Sequence, residues 1–360
     1  MASRAKEGTC LATLVKMALP IFREAERQCP RTGPGRKPQI PEWLIAVLIM
    51  IAVLKRRKSK SAQYRYLNEH RAEIAEWVGS RDFPSRSTYF DRYRRAHRLY
   101  QEAIRLQGEK AVKDGLADPT SVAVDKSLLP AQGPQWHTKD RQAGHIPKGL
   151  HGVDTESTWG YSEYHGWVQG YSYEVVVTAT ANGTVWPLLA SADTASVSEH
   201  TTFGEKIGCL DSLVLYVLAD SGYDNNSYGE RIEWDEKGRR TGKRFLCPEN
   251  PRSAKKKTKK AKAQPAPMAT GVQRKRREQR RKFLESRSGQ RLYARRGQTV
   301  EPFNDWLKSL FELEHRVWHR GLDNNRTQLL AAIFAYQVLL RYNHRRGKNN
   351  GQVRWILDML

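Results

Sequence analysis

Cysteine is scarce and poorly placed for crosslinking. The 360 residues contain four, Cys10, Cys29, Cys209 and Cys247, and no two form a Cys-x-x-Cys pair. Neither a disulfide framework nor a structural zinc site is expected, and a reducing, cytoplasmic location is. Long apolar runs are also missing. The longest, Trp43 to Leu54, has twelve residues, short of the roughly 20 that a membrane-spanning helix needs. The opening segment, Met1 to Gly8, is polar and lacks the apolar stretch of a signal peptide. Negative charge is the third shortage. Asp and Glu number 38 against 62 Lys and Arg, a formal charge of +24. Such a field draws polyanions, nucleic acid above all.

What is present divides the chain. Residues 1–118 show helical periodicity, with a buried helix ending near Leu54 and a later helix opening at Ser85 or Ser87. A helix, a short turn and an Arg-rich helix over about 69–98 suit a helix-turn-helix, with Arg86, Arg92, Arg94 and Arg95 on DNA phosphates. An ordinary helical hairpin with a solvated basic face suits the same residues equally well. From Ser121 the pattern turns to strands, first at 121–125. Tyr171–Thr180 and Val185–Leu189 then flank Asn182-Gly183, a hairpin signal. A crossover helix over 198–207, a buried strand over 213–219, a helix over 228–236 and a short strand over 244–247 complete this part. Residues 119–248 thus form the first part of a mixed α/β core with a five-stranded sheet flanked by helices. Residues 252–282 hold fourteen Lys or Arg and one acid, Glu278, a net +13, and the segment 249–283 is expected to be a basic, flexible insertion. Residues 284–360 are helical again and complete the core.

Two acids follow apolar strands: Asp125 after Ser121–Val124, and Asp220 after Leu213–Ala219. A third, Glu301, opens an amphipathic helix that runs to Phe311. The crossover lets the strand of Asp220 lie beside that of Asp125. Phosphodiester chemistry has to stabilise charge on the attacking and leaving oxygens. Two divalent ions about 3.5–4 Å apart do so, and carboxylate oxygens suit Mg2+ or Mn2+ better than zinc. Taken singly, a strand-end Asp can simply cap a turn, and a Glu in a helix's first turn can simply favour the dipole. Asp154 is a weaker rival for Asp125. His137, His145, His151 and His165, spaced 8, 6 and 14 apart, match no compact zinc motif. Trp159 and Trp167 are expected in the core, with stacking on an unpaired base as the alternative.

The order of elements resembles the ribonuclease-H-like arrangement, and the residues around the acids resemble the DDE-type transposases of bacterial insertion sequences. The resemblance is carried by Val122-Ala123-Val124-Asp125-Lys126-Ser127, by Leu218-Ala219-Asp220-Ser221-Gly222-Tyr223-Asp224, by Gly160–Tyr171, and by Arg295–Lys308. Some members carry a Tyr, Arg, Glu, Lys signature about the third acid. Glu301 and Lys308, six residues between them, match its close, and Tyr293 and Arg296 are the nearest matches to its start, with Arg295 an equal candidate for the arginine. The resemblance implies Asp125, Asp220 and Glu301 as catalytic metal ligands and two divalent cations. It implies binding of terminal inverted repeats and target DNA, with Lys308 on a phosphate, and strand transfer by a freed 3′ hydroxyl in a homodimeric synaptic complex. A transposase-derived DNA-binding protein without catalysis, and a structure-specific nuclease on the same fold, are the alternatives.

Overall fold

In the computed structural model, residues 2–29, 38–163, 166–180, 184–250, 271–348 and 351–360 are described. Six helices come first: α1 (Ala2–Gln28), α2 (Glu42–Leu54), α3 (Lys60–Glu69), α4 (Arg71–Val78), α5 (Arg86–Tyr93) and α6 (His97–Lys113). Then follow β1 (Ser121–Pro130), α7 (Thr138–Gln142), β2 (Thr158–Ser162), β3 (Gly166–Thr178), β4 (Pro187–Thr194), α8 (Glu199–Lys206), β5 (Tyr216–Leu218), α9 (Asn226–Glu233) and β6 (Arg244–Leu246). The chain closes with α10 (Gly271–Glu285), α11 (Arg287–Tyr293), α12 (Arg295–Leu310), α13 (Leu322–Arg345) and α14 (Arg354–Met359). Among the described residues no helix is long and apolar enough to cross a membrane.

A helix apolar on every face is stable only when surrounded. α2 is such a helix: Leu44 to Leu54 are all buried, enclosed by α1, α3, α5, α6 and α13. α13 in turn lies against α6 and β4, so the helical layer and the sheet share one continuous apolar core.

β1 is the central strand. It runs antiparallel to β3 on one side and parallel to β5 on the other, and β5 is parallel to β6. The outer edge of β3 carries β2 on Gly166–Gly170 and β4 on Tyr171–Val177. The sheet therefore has six strands where five were expected. The extra strand is β2, in a Gly- and Trp-rich stretch whose composition did not advertise it. β5 is correspondingly shorter than the apolar run 213–219, because Leu213 and Leu215 stand exposed before the ladder begins.

Strand register places the two acids. Ala123 pairs with Leu218 in the parallel ladder. Two residues further along each strand, on the same face, come Asp125 and Asp220. Side chains alternate faces with period two, so the two carboxylates emerge side by side.

Two expectations are corrected. Residues 271–285 are not a loop: they form α10, held by ion pairs to Asp224, Glu230 and Glu233 in and just before α9. Residues 251–270, the remainder of the expected insertion, lie outside the described residues. α12 starts at Arg295, six residues before Glu301, with Pro302 inside it. Glu301 is therefore a mid-helix residue, and the residue in the first turn is Arg296.

Candidate active site

Asp125 lies where β1 is flanked on both sides, between Val175 of β3 and the end of β5. Its Oδ2 accepts from Asn304 Nδ2 at 2.7 Å, and Asn304 is itself oriented by the Tyr173 hydroxyl at 2.9 Å. Its Oδ1 accepts from Arg296 Nη2 at 2.7 Å. The same Nη2 donates to Asp220 Oδ2 at 3.1 Å. One guanidinium nitrogen thus sits between the carboxylate of mid-strand Asp125, not at the strand end the sequence suggested, and that of Asp220 just past β5. Burial pushes the Asp125 carboxyl up to about 6, the Arg296 charge opposing and the Asp220 charge adding to the rise.

Asp220 does two things at once. Its Oδ1 caps the short 3-10 turn Ser221–Tyr223 by accepting from Gly222 N at 2.8 Å, while Oδ2 faces the guanidinium. The turn-capping role open to any strand-end Asp is realised, and it fixes the carboxylate rather than consuming it. Cys247 reinforces the strand end by donating its thiol to the Asp220 carbonyl at 2.9 Å.

Glu301 does not join this pair. Arg296 and Asn304 define the face of α12 turned to the sheet. Glu301 projects roughly 100° around the helix from the middle of that face, and it is exposed. Lys308, two turns later on the same side, is half-buried, and burial lowers its pKa. It lines a cavity of about 340 Å³ together with Trp167, Gln169, Pro134 and Arg316. Tyr293 lies close enough to feel Arg296, Asp220 and Asp125, and burial lifts its hydroxyl to about 12. Between the two equal candidates, Arg296 is the arginine at the acids.

A carboxylate that carried no expectation stands beside the pair. Glu199, in the first turn of α8, is lifted to about 7 by burial and then by the charge of Asp220, with Lys126 opposing. Asn304 was missed as well. Its only sequence signal is its position three residues after Glu301, on the inward face of an amphipathic helix. Asp154 is excluded as a rival to Asp125: it is buried elsewhere, accepting from the Tyr171 hydroxyl at 2.8 Å and from Gly321 N at 3.2 Å.

The expected DNA-contact arginines separate. Arg86, Arg94 and Arg95 are exposed, Arg86 resting over the Phe90 ring and Arg94 paired with Asp91 at 3.2 Å. Arg92 is buried, with Nη2 2.7 Å from Glu42 and Nε donating to the same carboxylate at 3.1 Å, so it presents no free charge to a phosphate. It lies on the inner face of α5 with Tyr89 and Tyr93, which a helical period of 3.6 places together. Arg295 is half-buried on α12. His137, His145 and His151 are exposed, and His165 lies outside the described residues. Trp167 is 67% exposed, contrary to the expected core role, whereas Trp159 is half-buried and donates to the Trp136 carbonyl at 2.9 Å. Trp167 escapes the core because it opens β3 beside β2, where Tyr161 packs edge-on against it.

Among the described residues, no three His, Cys, Asp or Glu side chains are grouped as a metal ion would require. Two are aimed at one point. Asp125 Oδ1 and Asp220 Oδ2 flank a single cationic nitrogen, and an all-oxygen pair of this kind suits a hard cation.

The two acids of the sheet stand beside one guanidinium in a strongly basic chain. Residues 116–338 match the family described as the transposase DDE domain, and the chain belongs to that family. No curated protein and no solved structure matches it.

Proposed function

We propose that the chain is a DNA transposase. It binds the terminal inverted repeats of its element as a homodimer, cuts at their ends and joins the freed 3′ hydroxyl to target DNA, with Asp125, Asp220 and Glu301 as its catalytic carboxylates. The observation that carries this reading is the contact of Asp125 and Asp220 with one guanidinium nitrogen, inside the segment that matches the family. The strand order β4–β3–β1–β5–β6, with β1 parallel only to β5, supports a ribonuclease-H-like core.

Bound Mg2+ or Mn2+ would neutralise charge on the attacking and leaving phosphodiester oxygens. The chain's own residues do the rest. Asp125, clamped by Asn304 on the central strand, is the rigid member of the set. Arg296 leaves the two carboxylates for a DNA phosphate, which a guanidinium grips through paired N–H groups. Glu301, exposed on the same helix, closes on the pair as Arg296 withdraws. Lys308, two turns beyond Glu301 on the same side, holds a phosphate of the transposon end. Trp167, exposed at the rim of the cavity that Lys308 lines, stacks on an unpaired base.

The test is a strand-transfer assay with Mg2+ and the DNA that flanks the gene. Asp125→Ala should abolish cutting while leaving binding to the terminal repeats within about twofold, since the substitution removes a carboxylate and no phosphate contact. Cleavage that persists in this variant would sink the mechanism. Cutting without joining would favour the nuclease, and binding with neither would favour the DNA-binding protein.

A further inference from the structure

Arg341 interrupts the apolar body of α13 between Leu340 and Tyr342, and it is only 7% exposed. Burying a guanidinium is costly unless its N–H groups find acceptors. Nη1 donates to Asp114, just past the end of α6. Nε and Nη2 are buried with no partner.

The side chain lines a cavity of about 290 Å³ between α1, α6 and α13. Gln107 of α6 lines it as well, 1% exposed, and its Oε1 has no donor. Lys16 of α1, Lys110 of α6 and Arg345 of α13 are exposed along the same cavity. Arg345 lies one turn beyond Arg341, and Lys110 one turn beyond Gln107, so each pair shares a helix face. None of the nine lining residues is acidic. Asp114 offsets one of the four positive charges. Among the described residues, Lys16, Lys110 and Arg345 are in no salt bridge. None of the elements that carry Asp125, Asp220 or Arg296 contributes to the cavity.

Cations suit the last turns of α6 and α13, which accounts for Lys110 and Arg345. It does not account for two nitrogens of Arg341 and an amide oxygen of Gln107, all buried and unpartnered. Buried polar groups nearly always have partners, so the cavity fits a ligand that supplies what the chain omits. Arg341 needs anionic oxygens, two of which on one phosphate match a guanidinium fork. Gln107 needs an O–H donor, which a phosphodiester of the DNA backbone does not carry.

We infer that this cavity is a binding site for a hydrogen phosphate group, free or at the end of a small phosphorylated molecule. Arg341 grips its oxygens, Gln107 accepts its hydroxyl, and Lys16, Lys110 and Arg345 supply the surrounding charge.

Calorimetric titration of the full-length protein with inorganic phosphate near neutral pH tests this. Phosphate should bind about tenfold or more tightly than sulfate, which offers Gln107 no O–H. Arg341→Gln should weaken phosphate binding by about tenfold or more, and Gln107→Leu should erase the preference over sulfate. Arg281→Ala, which removes an exposed charge on α10, should change neither. Thermal transitions identify any variant that fails to fold. If Arg341→Gln does not fold, the exposed changes Lys16→Gln and Arg345→Gln decide, each weakening binding about threefold. Ribose 5-phosphate separates the two sources: tighter binding than inorganic phosphate assigns the site to a monoester, weaker binding to the free ion. Wild-type phosphate affinity in these variants, or sulfate bound as tightly as phosphate, would overturn the inference. So would absence of phosphate binding together with weaker binding of a short DNA duplex by Arg341→Gln, which would give the cavity to a nucleic-acid backbone.

Discussion

Asp125, Asp220 and Arg296 show how differently single residues can be read. Each aspartate follows an apolar run, but only Asp220 was marked by its local sequence, whereas Asp125 was picked out more by the order of the strands. Arg296 was one of two adjacent arginines with equal claims. The start of α12 at Arg295 decided between them by turning the second toward the sheet and the first away. His319 carried no signal at all. It is buried, with Nε2 2.9 Å from the Tyr93 hydroxyl, and burial together with the Lys60 charge lowers its pKa to about 3. In the unfolded chain the same imidazole titrates near 6.5. Between those values the unfolded state binds the extra proton, so stability is unaffected above about pH 6.5 and falls as pH drops toward 3. From pH 7 to pH 5 this one group should cost about 2 kcal/mol. Denaturant titrations at the two pH values measure it. His319→Gln should flatten the difference by that amount, and an unchanged difference would show that His319 takes up its proton in the folded state.

Among elements, α10 is the one whose role changed most. Its composition, rich in Lys and Arg without apolar periodicity, reads as a solvated tether. In the fold its arginines meet acids of the core. Arg276 lies over the Trp234 ring at 3.6 Å, Arg277 pairs with Asp224 at 3.0 Å, and Arg280 reaches Glu230 at 3.3 Å and Glu233 at 3.5 Å. Gly229 of α9 leaves the space in which the Arg280 guanidinium lies. Arg280→Ala removes the cation between two carboxylates that are only 19% and 15% exposed, and should cost about 2 kcal/mol. Arg281→Ala removes a guanidinium 48% exposed beside Glu278, and should cost less than about 0.5 kcal/mol. Urea unfolding of the two variants checks the ranking, and equal losses would mean that α10 is not docked through Arg280. The sequence could not give this, because the acids that make α10 an element lie some fifty residues away in the chain.

At the scale of the whole molecule, the charge of +24 is less uniformly available than the composition suggests. Part of the basic segment is consumed by Asp224, Glu230 and Glu233, and Arg92 is consumed by Glu42. The exposed remainder still governs how DNA is approached. Cations that neutralise phosphates release counterions, so affinity falls linearly with salt on a logarithmic scale. Raising salt from about 50 to 200 mM should weaken binding on the order of a thousandfold if at least six phosphates are contacted. Fluorescence anisotropy on a repeat-length duplex measures the slope, and an affinity indifferent to salt would exclude a phosphate-dominated interface.

The sequence by itself determined the basic character of the chain, the fully buried α2, the hairpin and crossover that bring β1 and β5 together, and the positions of Asp125 and Asp220. These follow from periodicity and local turn chemistry, which act over a few residues. Tertiary structure alone decided that Arg296 sits between the aspartates, that Glu199 faces Asp220 across Gly222, that Glu301 faces outward and that α10 is docked. Each of those depends on the direction of a side chain relative to an element distant in sequence. That direction is fixed by helix start, strand register and the buried partners of the neighbouring turn, which no short window of residues contains.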